Sequence, residues 1–242
     1  MDFRISGKDV FLRCGDGASP LVILNSAADG AEKIYETVKR TADRDFSLAS
    51  VSGLDWNADL SPWPSPGVVK GGGPFGGGAD AYLGQLEEEI IPEILGRMPA
   101  EPLRIIIAGY SLAGLFALYS LYHTRLFSGA ASVSGSLWFP GFTEFAESNE
   151  MMRRPERIYL SLGDKESQTA NPVLAASEKK TRRMNEYFRS EGIETVFEMN
   201  PGNHFRDPCG RTARGILRII SRYFFPVSGL HRQATDLYRA GM

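Results

Sequence analysis

Short runs of apolar, mostly β-branched residues alternate with longer segments of helical periodicity along most of the chain. This alternation is typical of βαβ units, and it predicts an α/β fold with a mostly parallel central sheet of about eight strands and helices on both faces. Strands are predicted at residues 2–6, 9–13, 20–24, 46–51, 103–108, 129–134, 157–162 and 194–199. Helices are predicted at 31–43, 79–96, 112–123, 171–191 and 211–224, and a polar tail follows Pro226.

One segment, residues 55–78, departs from the alternation. It contains four prolines, and six of the eight residues 71–78 are glycine. Prolines lack a backbone N–H and glycines weaken helices, so the segment is predicted to be a long loop, either a lid that lines a substrate site or a mobile surface excursion. The stretches on either side would be incomplete halves of one sheet, so residues 1–242 are predicted to form a single domain.

Charge and composition narrow the range of partners. The formal charge is −2, from 27 basic and 29 acidic side chains, which favours neither nucleic acid nor an anionic membrane as a partner. The first 17 residues carry charges throughout and do not resemble a secretory signal, and no stretch approaches the roughly 20 apolar residues that span a bilayer. Cys14 and Cys209 have no metal-type spacing and are expected to be free thiols. We expect a cytoplasmic protein without metal or cofactor.

The most apolar strand runs directly into the sequence GYSLAG at 109–114, and a helical pattern follows at once. Strand, tight turn and helix form the context of a nucleophile elbow, which predicts Ser111 as a catalytic nucleophile. Gly109 and Ala113 are the small neighbours that such a turn requires, although alanine stands where glycine is usual. The alternative is that Ser111 only caps the helix.

A serine hydroxyl needs a base to accept its proton, and the chain has three histidines. His123 lies about 18 Å along the helix that begins after Ser111, and His231 lies in the polar tail, so neither is a candidate. His204 follows the last predicted strand, at the edge of the sheet where Ser111 lies. It is predicted to be the base; the alternative is a loop histidine bonded to nearby backbone.

The third member of such a site is a carboxylate that orients the imidazole, in the chain order serine, acid, histidine. Asp164 and Glu166 directly follow the strand at 157–162. We favour Glu166 and keep Asp164 as the alternative acid; Asp207 or the absence of an acid are the remaining possibilities. The unused carboxylate would be a solvated charge or a helix cap.

An oxyanion hole requires two backbone donors. The elbow predicts the N–H of Leu112 as one of them. The other is expected from the loop after the strand at 20–24, where Asn25, Ser26 and Ala27 are candidates. We favour Ser26, with Ala27 as the alternative.

Six motifs together carry a resemblance to a known family: GYSLAGLFALY (109–119), SVSGSLWFPGF (132–142), SLGDKE (161–166), NPGNHFRD (200–207), LDWNADLSPWPSP (54–66) and GGADAYL (77–83). On these motifs, the sequence resembles the esterase-D and enterochelin-esterase-like branch of the α/β-hydrolases. The resemblance implies the α/β-hydrolase fold and carboxylic ester hydrolysis by Ser111, His204 and Glu166 without a metal. Substrates differ among members of the branch, so the resemblance leaves the ester open.

All three tryptophans, Trp56, Trp63 and Trp138, lie in loops predicted at the active edge of the sheet. With Tyr110 they are candidates to line the substrate site, which favours a small-molecule ester with an apolar or aromatic acyl group. The alternative is that they cover the core. Two other functions remain open: an acyltransferase that uses the same three residues, and a catalytically silent binding domain on the same scaffold.

Overall fold

The computed structural model describes residues 1–27, 30–69 and 71–221. The strands are β1 (Asp2–Ile5), β2 (Lys8–Arg13), β3 (Leu21–Asn25), β4 (Ser47–Ser52), β5 (Pro64–Ser65), β6 (Phe75–Gly76), β7 (Ile105–Tyr110), β8 (Phe127–Val133), β9 (Arg157–Gly163) and β10 (Glu194–Asn200). Eight of them form one sheet in the order β1-β2-β4-β3-β7-β8-β9-β10, and β5 and β6 form a separate hairpin. β2 pairs with β1 and with β4 in antiparallel fashion, and the remaining neighbours are parallel. The mostly parallel sheet of about eight strands is therefore confirmed.

Each predicted helical segment contains a helix, two of them with an interruption, whereas the helices Trp56–Asp59 and Phe142–Ser148 were not predicted. Residues 222–224 of the last predicted helix lie outside the described residues. The segment predicted at 79–96 contains a π-helical turn at Leu86–Ile90, which ends just before Pro92, a residue that cannot donate the usual helical hydrogen bond. The segment predicted at 171–191 is divided at Ala176. The helices are α1 (Ala31–Thr41), α2 (Trp56–Asp59), α3 (Ala79–Gln85), α4 (Ile91–Arg97), α5 (Leu112–Ser120), α6 (Phe142–Ser148), α7 (Pro172–Ala175), α8 (Ser177–Ser190) and α9 (Pro208–Ile220).

Both faces of the central strands are buried. In β7, Ile105 and Ile107 contribute to an apolar cluster with α3, α4, α5 and α8, whereas Ile106 contributes to a second cluster with α1 and α9. Successive residues of a strand point to opposite faces of the sheet, so a strand of consecutive isoleucines must be covered on both sides. This confirms the prediction of helices on both faces of the sheet.

The segment 55–78, predicted as irregular, contains local structure. Asp55 caps α2 by accepting a hydrogen bond from the Ala58 N–H, and the hairpin of β5 and β6 follows. The residues between the hairpin strands include Val68 and Val69, which border the cavity described below. The predicted tail after Pro226, with His231, lies outside the described residues.

The carboxyl ends of the parallel strands lie at one edge of the sheet, and the loops that follow β3, β4, β7, β8, β9 and β10 meet there. Every residue predicted for the site belongs to one of these loops or to the residues next to them. Among the described helices, none has the length and apolar character that crossing a membrane would require.

Candidate active site

Ser111 occupies a tight turn between β7 and α5. Its backbone angles are φ 59° and ψ −121°, a combination that glycine adopts readily and other residues rarely do. Its N–H donates to the Val133 carbonyl at 3.0 Å, which ties the turn to β8. A Cβ on Gly109 would overlap the backbone of Ala113, so this turn requires glycine on the strand side.

The three residues predicted from the sequence form one chain of hydrogen bonds. Nε2 of His204 lies 3.0 Å from Ser111 Oγ, and Nδ1 of the same ring lies 2.8 Å from Glu166 Oε2. A carboxylate can only accept hydrogen bonds, so the Nδ1–H of His204 donates a hydrogen bond to Glu166. The other ring nitrogen, Nε2, carries no proton and can accept the proton of the serine hydroxyl. This is the arrangement that general-base activation of a serine requires.

Glu166 is nearly inaccessible, with 4% of its side chain exposed. Its Oε1 accepts from the Gly163 N–H at 2.6 Å and from Arg211 Nη1 at 3.0 Å. Burial raises the pKa of this carboxyl. The hydrogen bond and the charge of His204, with the hydrogen bonds of Ser134 and Gly163, lower the pKa by more than burial raises it, so the pKa lies below the ordinary value of 4.5. Glu166 is therefore charged at neutral pH.

The other two carboxylates have structural contacts. Asp164 Oδ1 accepts from the Gly202 N–H at 2.7 Å and so fixes the turn that precedes His204. Asp207 caps α9 by accepting from the Gly210 N–H at 3.1 Å. Of the acids weighed from the sequence, Glu166 is the one hydrogen-bonded to the imidazole.

Sequence reasoning missed Arg211, whose side chain is 2% exposed. It donates to Glu166, to the hydroxyl oxygens of Ser134 and Tyr110 at 3.1 and 3.3 Å, and to two backbone carbonyls of the turn before His204. A charged residue on the buried face of an amphipathic helix was the available signal, since a buried charge needs a partner.

The backbone donors around Ser111 differ in part from the prediction. Leu112 is the first residue of α5, so its N–H has no acceptor within the helix and is available to an oxyanion. The N–H of Ser26, however, donates to the Val51 carbonyl at 3.0 Å, because it continues the pairing of β3 with β4. The prediction of Ser26 as the second oxyanion donor is therefore wrong, because its N–H is already used. Ala27, the alternative, becomes the candidate for the second donor.

A cavity of about 320 Å³ opens beside Ser111. Trp56 and Trp138 belong to its lining, and so do Ser136, whose hydroxyl lies 3.4 Å from Ser111 Oγ, and Phe75. Most of the remaining lining is apolar: Val68, Val69, Leu112, Leu174 and Phe205, with Asn57, Ser177, Glu166 and His204 as the other polar members.

Two of the residues predicted to line the site lie elsewhere. Trp63 is not part of this lining; its ring contacts Tyr119, Phe139 and Phe145, and its indole N–H donates to the Pro140 carbonyl at 3.0 Å. Trp63 therefore covers the core, which was the alternative interpretation.

Tyr110 also lies outside the lining of this cavity. Its hydroxyl donates to the His204 carbonyl at 2.5 Å, which holds the ring behind the imidazole. Burial raises the pKa of Tyr110, so the hydroxyl keeps its proton and remains a donor. The side chain borders a second cavity of about 160 Å³, together with Ser26, Ala27 and Trp56.

The remaining candidate groups lie apart from the site. His123 stacks on Phe145 at the far end of the α5 region, and Cys14 and Cys209 are free thiols. Within residues 1–27, 30–69 and 71–221, no cluster of three or more His, Cys, Asp or Glu side chains is arranged to hold a metal ion.

Comparison with known proteins identifies the family of this chain. The Esterase family, described as "Putative esterase", matches residues 37–208. The protein YbbA of Bacillus subtilis (strain 168) is 25% identical over 138 residues, which cover 56% of this chain and 55% of YbbA, so that the chain spans about half the length of this relative.

Solved structures support the same fold. An IroE-like serine hydrolase from Shewanella oneidensis superposes with a TM-score of 0.72 at 15% identity and covers 96% of this chain and 82% of its own. The siderophore hydrolase EstA from Aspergillus nidulans superposes with a TM-score of 0.62 at 20% identity, over 87% of this chain and 88% of its own. The chain therefore belongs to the Esterase family, which confirms the predicted family resemblance, and these structures confirm the predicted α/β-hydrolase fold.

Proposed function

We propose that the protein hydrolyses a carboxylic ester through a covalent acyl-enzyme on Ser111, with His204 as general base and acid and Glu166 as the carboxylate that orients it. The observation that carries the proposal is the unbroken hydrogen-bond chain from Ser111 Oγ through both ring nitrogens of His204 to Glu166 Oε2, at 3.0 and 2.8 Å. The chain reaches a cavity large enough for a small-molecule ester.

In the acylation step, His204 Nε2 takes the hydroxyl proton while Ser111 Oγ forms a bond to the ester carbonyl carbon. The carbonyl oxygen gains a negative charge, which the N–H of Leu112 and the N–H of Ala27 stabilise. The carbon–oxygen bond to the alcohol then breaks. The alcohol leaves with the proton from His204, and the acyl group remains on Ser111.

In the deacylation step, a water molecule gives a proton to His204 Nε2 and bonds to the acyl carbon. The bond to Ser111 Oγ breaks, the serine recovers its proton from His204, and the carboxylic acid departs. Glu166 keeps its negative charge throughout and stabilises the imidazolium that forms in both steps. Its lowered pKa suits this role, because the carboxylate is charged at the pH where the imidazole must be neutral.

The proposed substrate is a small-molecule ester with an apolar or aromatic acyl group. Trp56, Trp138 and Phe75 provide aromatic walls beside Ser111, and such walls bind flat, apolar groups well. EstA is named as a siderophore hydrolase, which is a further class of ester to include in a screen. An acyltransferase would use the same residues, with an alcohol in place of water.

A fluorophosphonate probe combined with a screen of p-nitrophenyl esters tests the proposal. Wild-type protein should be labelled and should release p-nitrophenol, and Ser111→Ala should do neither. If the Ser111→Ala variant were labelled or fully active, Ser111 would be excluded as the nucleophile. Addition of methanol then separates the two activities, because a transferase forms the methyl ester in preference to the free acid.

Domain organisation and location also remain proposals. All described strands outside the β5–β6 hairpin belong to one sheet, which supports a single domain over residues 1–242. A cytoplasmic location rests on the sequence alone. Limited proteolysis and fractionation of cells that express the protein test the two proposals.

A further inference from the structure

Two apolar side chains at the mouth of the cavity are exposed to solvent. Phe205 is 84% exposed and Val69 is 50% exposed, and both border the cavity that contains Ser111. Single exposed apolar residues are common on protein surfaces and need no explanation. These two belong to segments far apart in the sequence, yet both line the cavity that contains Ser111.

The lining of this cavity is largely apolar and includes Ser111 as well as Phe205 and Val69. Trp138 and Phe75 contact each other, with ring centroids 6.1 Å apart, and Leu174 and Val68 are further apolar members of the lining. Among the described lining residues, the charged or titratable groups are Glu166 and His204, and these are hydrogen-bonded to each other. Among the described residues, the lining therefore has no charged side chain outside the Glu166–His204 pair that could neutralise a charged group on the substrate, and burial of an unpaired charge is unfavourable.

We infer that Phe205 and Val69 bind the outer part of an extended, uncharged apolar group of the ester, which fills the cavity and continues to the mouth. The inference rests on the proposed function, and it narrows the substrate class to neutral esters with an apolar chain or ring system. A cavity of about 320 Å³ lies at the small end of the ligand-site range of roughly 300–1,000 Å³. A long chain therefore reaches the mouth, whereas an acetyl group does not.

The test compares p-nitrophenyl acetate with p-nitrophenyl octanoate, and methyl acetate with octyl acetate, since the apolar group can belong to the acid or to the alcohol. In wild-type protein, the long member of one pair should have the higher kcat/KM. Phe205→Ala should lower the long-to-short ratio of that pair by about tenfold, the effect typical of one lost apolar contact with a substrate.

Leu103→Ala is the matched control, because Leu103 is 61% exposed and lies outside the cavity lining. It should leave the ratio within about twofold of the wild-type ratio. An unchanged ratio in Phe205→Ala, or no dependence on chain length in either pair, overturns the inference, while fluorophosphonate labelling of Ser111 still supports the proposed function. Loss of that labelling in wild-type protein is the separate result that would defeat the proposed function.

A second, independent observation concerns Arg211. Its guanidinium group is 2% exposed and makes five hydrogen bonds, at 2.9 to 3.3 Å. One goes to Glu166 Oε1, the carboxylate oxygen that does not contact His204. Two go to the carbonyls of Pro201 and Asn203, which bracket the turn before His204.

The hydroxyl of Tyr110 completes the connection. Arg211 donates to this hydroxyl, and the hydroxyl donates to the His204 carbonyl. Tyr110 is the residue directly before Ser111, so the same guanidinium contacts the loops that carry the nucleophile, the acid and the base. A planar group with five donors in fixed directions can contact three loops at once in one defined geometry, whereas an ammonium group has only three donors, which rotate freely.

We propose that Arg211 is a positioning residue that sets the relative placement of Glu166 and His204 without touching the substrate. Replacement by methionine removes all five hydrogen bonds, and lysine restores the charge with fewer contacts. Arg211→Met should lower kcat and the rate of fluorophosphonate labelling by about 100-fold, with KM within about twofold, since small misplacements of catalytic groups have effects of this size. Arg211→Lys should fall between Arg211→Met and wild type.

Arg218→Met is the matched control, because Arg218 lies on the same helix as Arg211. This substitution removes an ion pair with Glu198, 2.8 Å long, that lies away from the site. It should keep kcat within about twofold of wild type even where its melting temperature falls. Equal labelling rates in Arg211→Met and Arg218→Met would overturn the proposal. If Arg211→Met does not fold, a folded Arg211→Lys with wild-type kcat overturns it, and a folded Arg211→Lys with reduced kcat supports it.

Discussion

Replacing Glu166 with glutamine would change which nitrogen of His204 carries the proton. Glu166 Oε1 accepts from the Gly163 N–H at 2.6 Å and from Arg211 at 3.0 Å, so an amide in this place must keep its oxygen there. Its NH2 group then takes the position of Oε2, 2.8 Å from Nδ1. Because an NH2 group donates, Nδ1 must accept, and the proton moves to Nε2, the nitrogen that faces Ser111 Oγ at 3.0 Å.

A ring protonated on Nε2 cannot accept the serine proton. Replacing the acid of a serine protease triad by its amide lowers kcat by about 10⁴ for this reason. We expect a loss of similar size for Glu166→Gln, which corresponds to about 5.5 kcal/mol in the activation free energy. The assay is p-nitrophenyl ester hydrolysis together with the rate of fluorophosphonate labelling, on protein whose folding has been checked by circular dichroism.

The matched control is Asp164→Asn. Asp164 accepts from the Gly202 N–H at 2.7 Å and an amide oxygen can still accept there, so the loss should be less than about tenfold. If Glu166→Gln kept activity within tenfold of wild type, or if Asp164→Asn lost as much as Glu166→Gln, the reasoning about the tautomer and the choice of acid would both be wrong.

The remaining predictions concern the charge of Glu166, the packing of Trp63 and the turn at Gly109. Because the pKa of Glu166 in the folded protein lies below its ordinary value of 4.5, its charge contributes to the free energy of unfolding above that pH, and the contribution is lost as the pH falls through the lowered pKa. Urea unfolding between pH 6 and pH 3 should show a steeper loss for wild type than for Glu166→Gln; parallel curves would contradict this. Trp63→Ala should lower the free energy of unfolding by about 2 kcal/mol and change kcat/KM by less than about threefold, since the ring contacts core aromatics and not the cavity. Unchanged stability, or a large loss of kcat/KM, would instead support the prediction from the sequence that Trp63 lines the substrate site. Gly109→Ala should give protein that is misfolded or not labelled by fluorophosphonate, because its Cβ would overlap the Ala113 backbone; a folded variant labelled at the wild-type rate would contradict the geometry of the elbow.

The sequence predicts the strands and the order of the site because both depend on local patterns. Three isoleucines at 105–107 indicate a strand buried on both faces, and the turn that follows indicates the place of Ser111. His204 and Glu166 could be chosen because parallel strands end at a common edge, which brings the residues after β9 and β10 together.

Other features depend on tertiary placement and could not be predicted. The apolar periodicity of α9 indicates that Arg211 lies on the buried face, but its partner Glu166 follows from how α9 packs on the sheet, which the pattern does not define. The N–H of Ser26 is used by Val51 because the β3–β4 ladder extends one residue past the apolar run. Trp63 could not be separated from Trp56 by sequence, since both lie in one loop rich in proline and glycine.

The backbone of Ser111 also affects the stability of the protein as a whole. A residue other than glycine held at φ 59° and ψ −121° costs about 1–3 kcal/mol, a cost that the folded protein bears in every molecule, whether or not substrate is present. Glycine at this position would relieve the strain and remove the nucleophile together. An inactive enzyme more stable than the active one is therefore one substitution away, and at this residue activity and stability are in direct opposition.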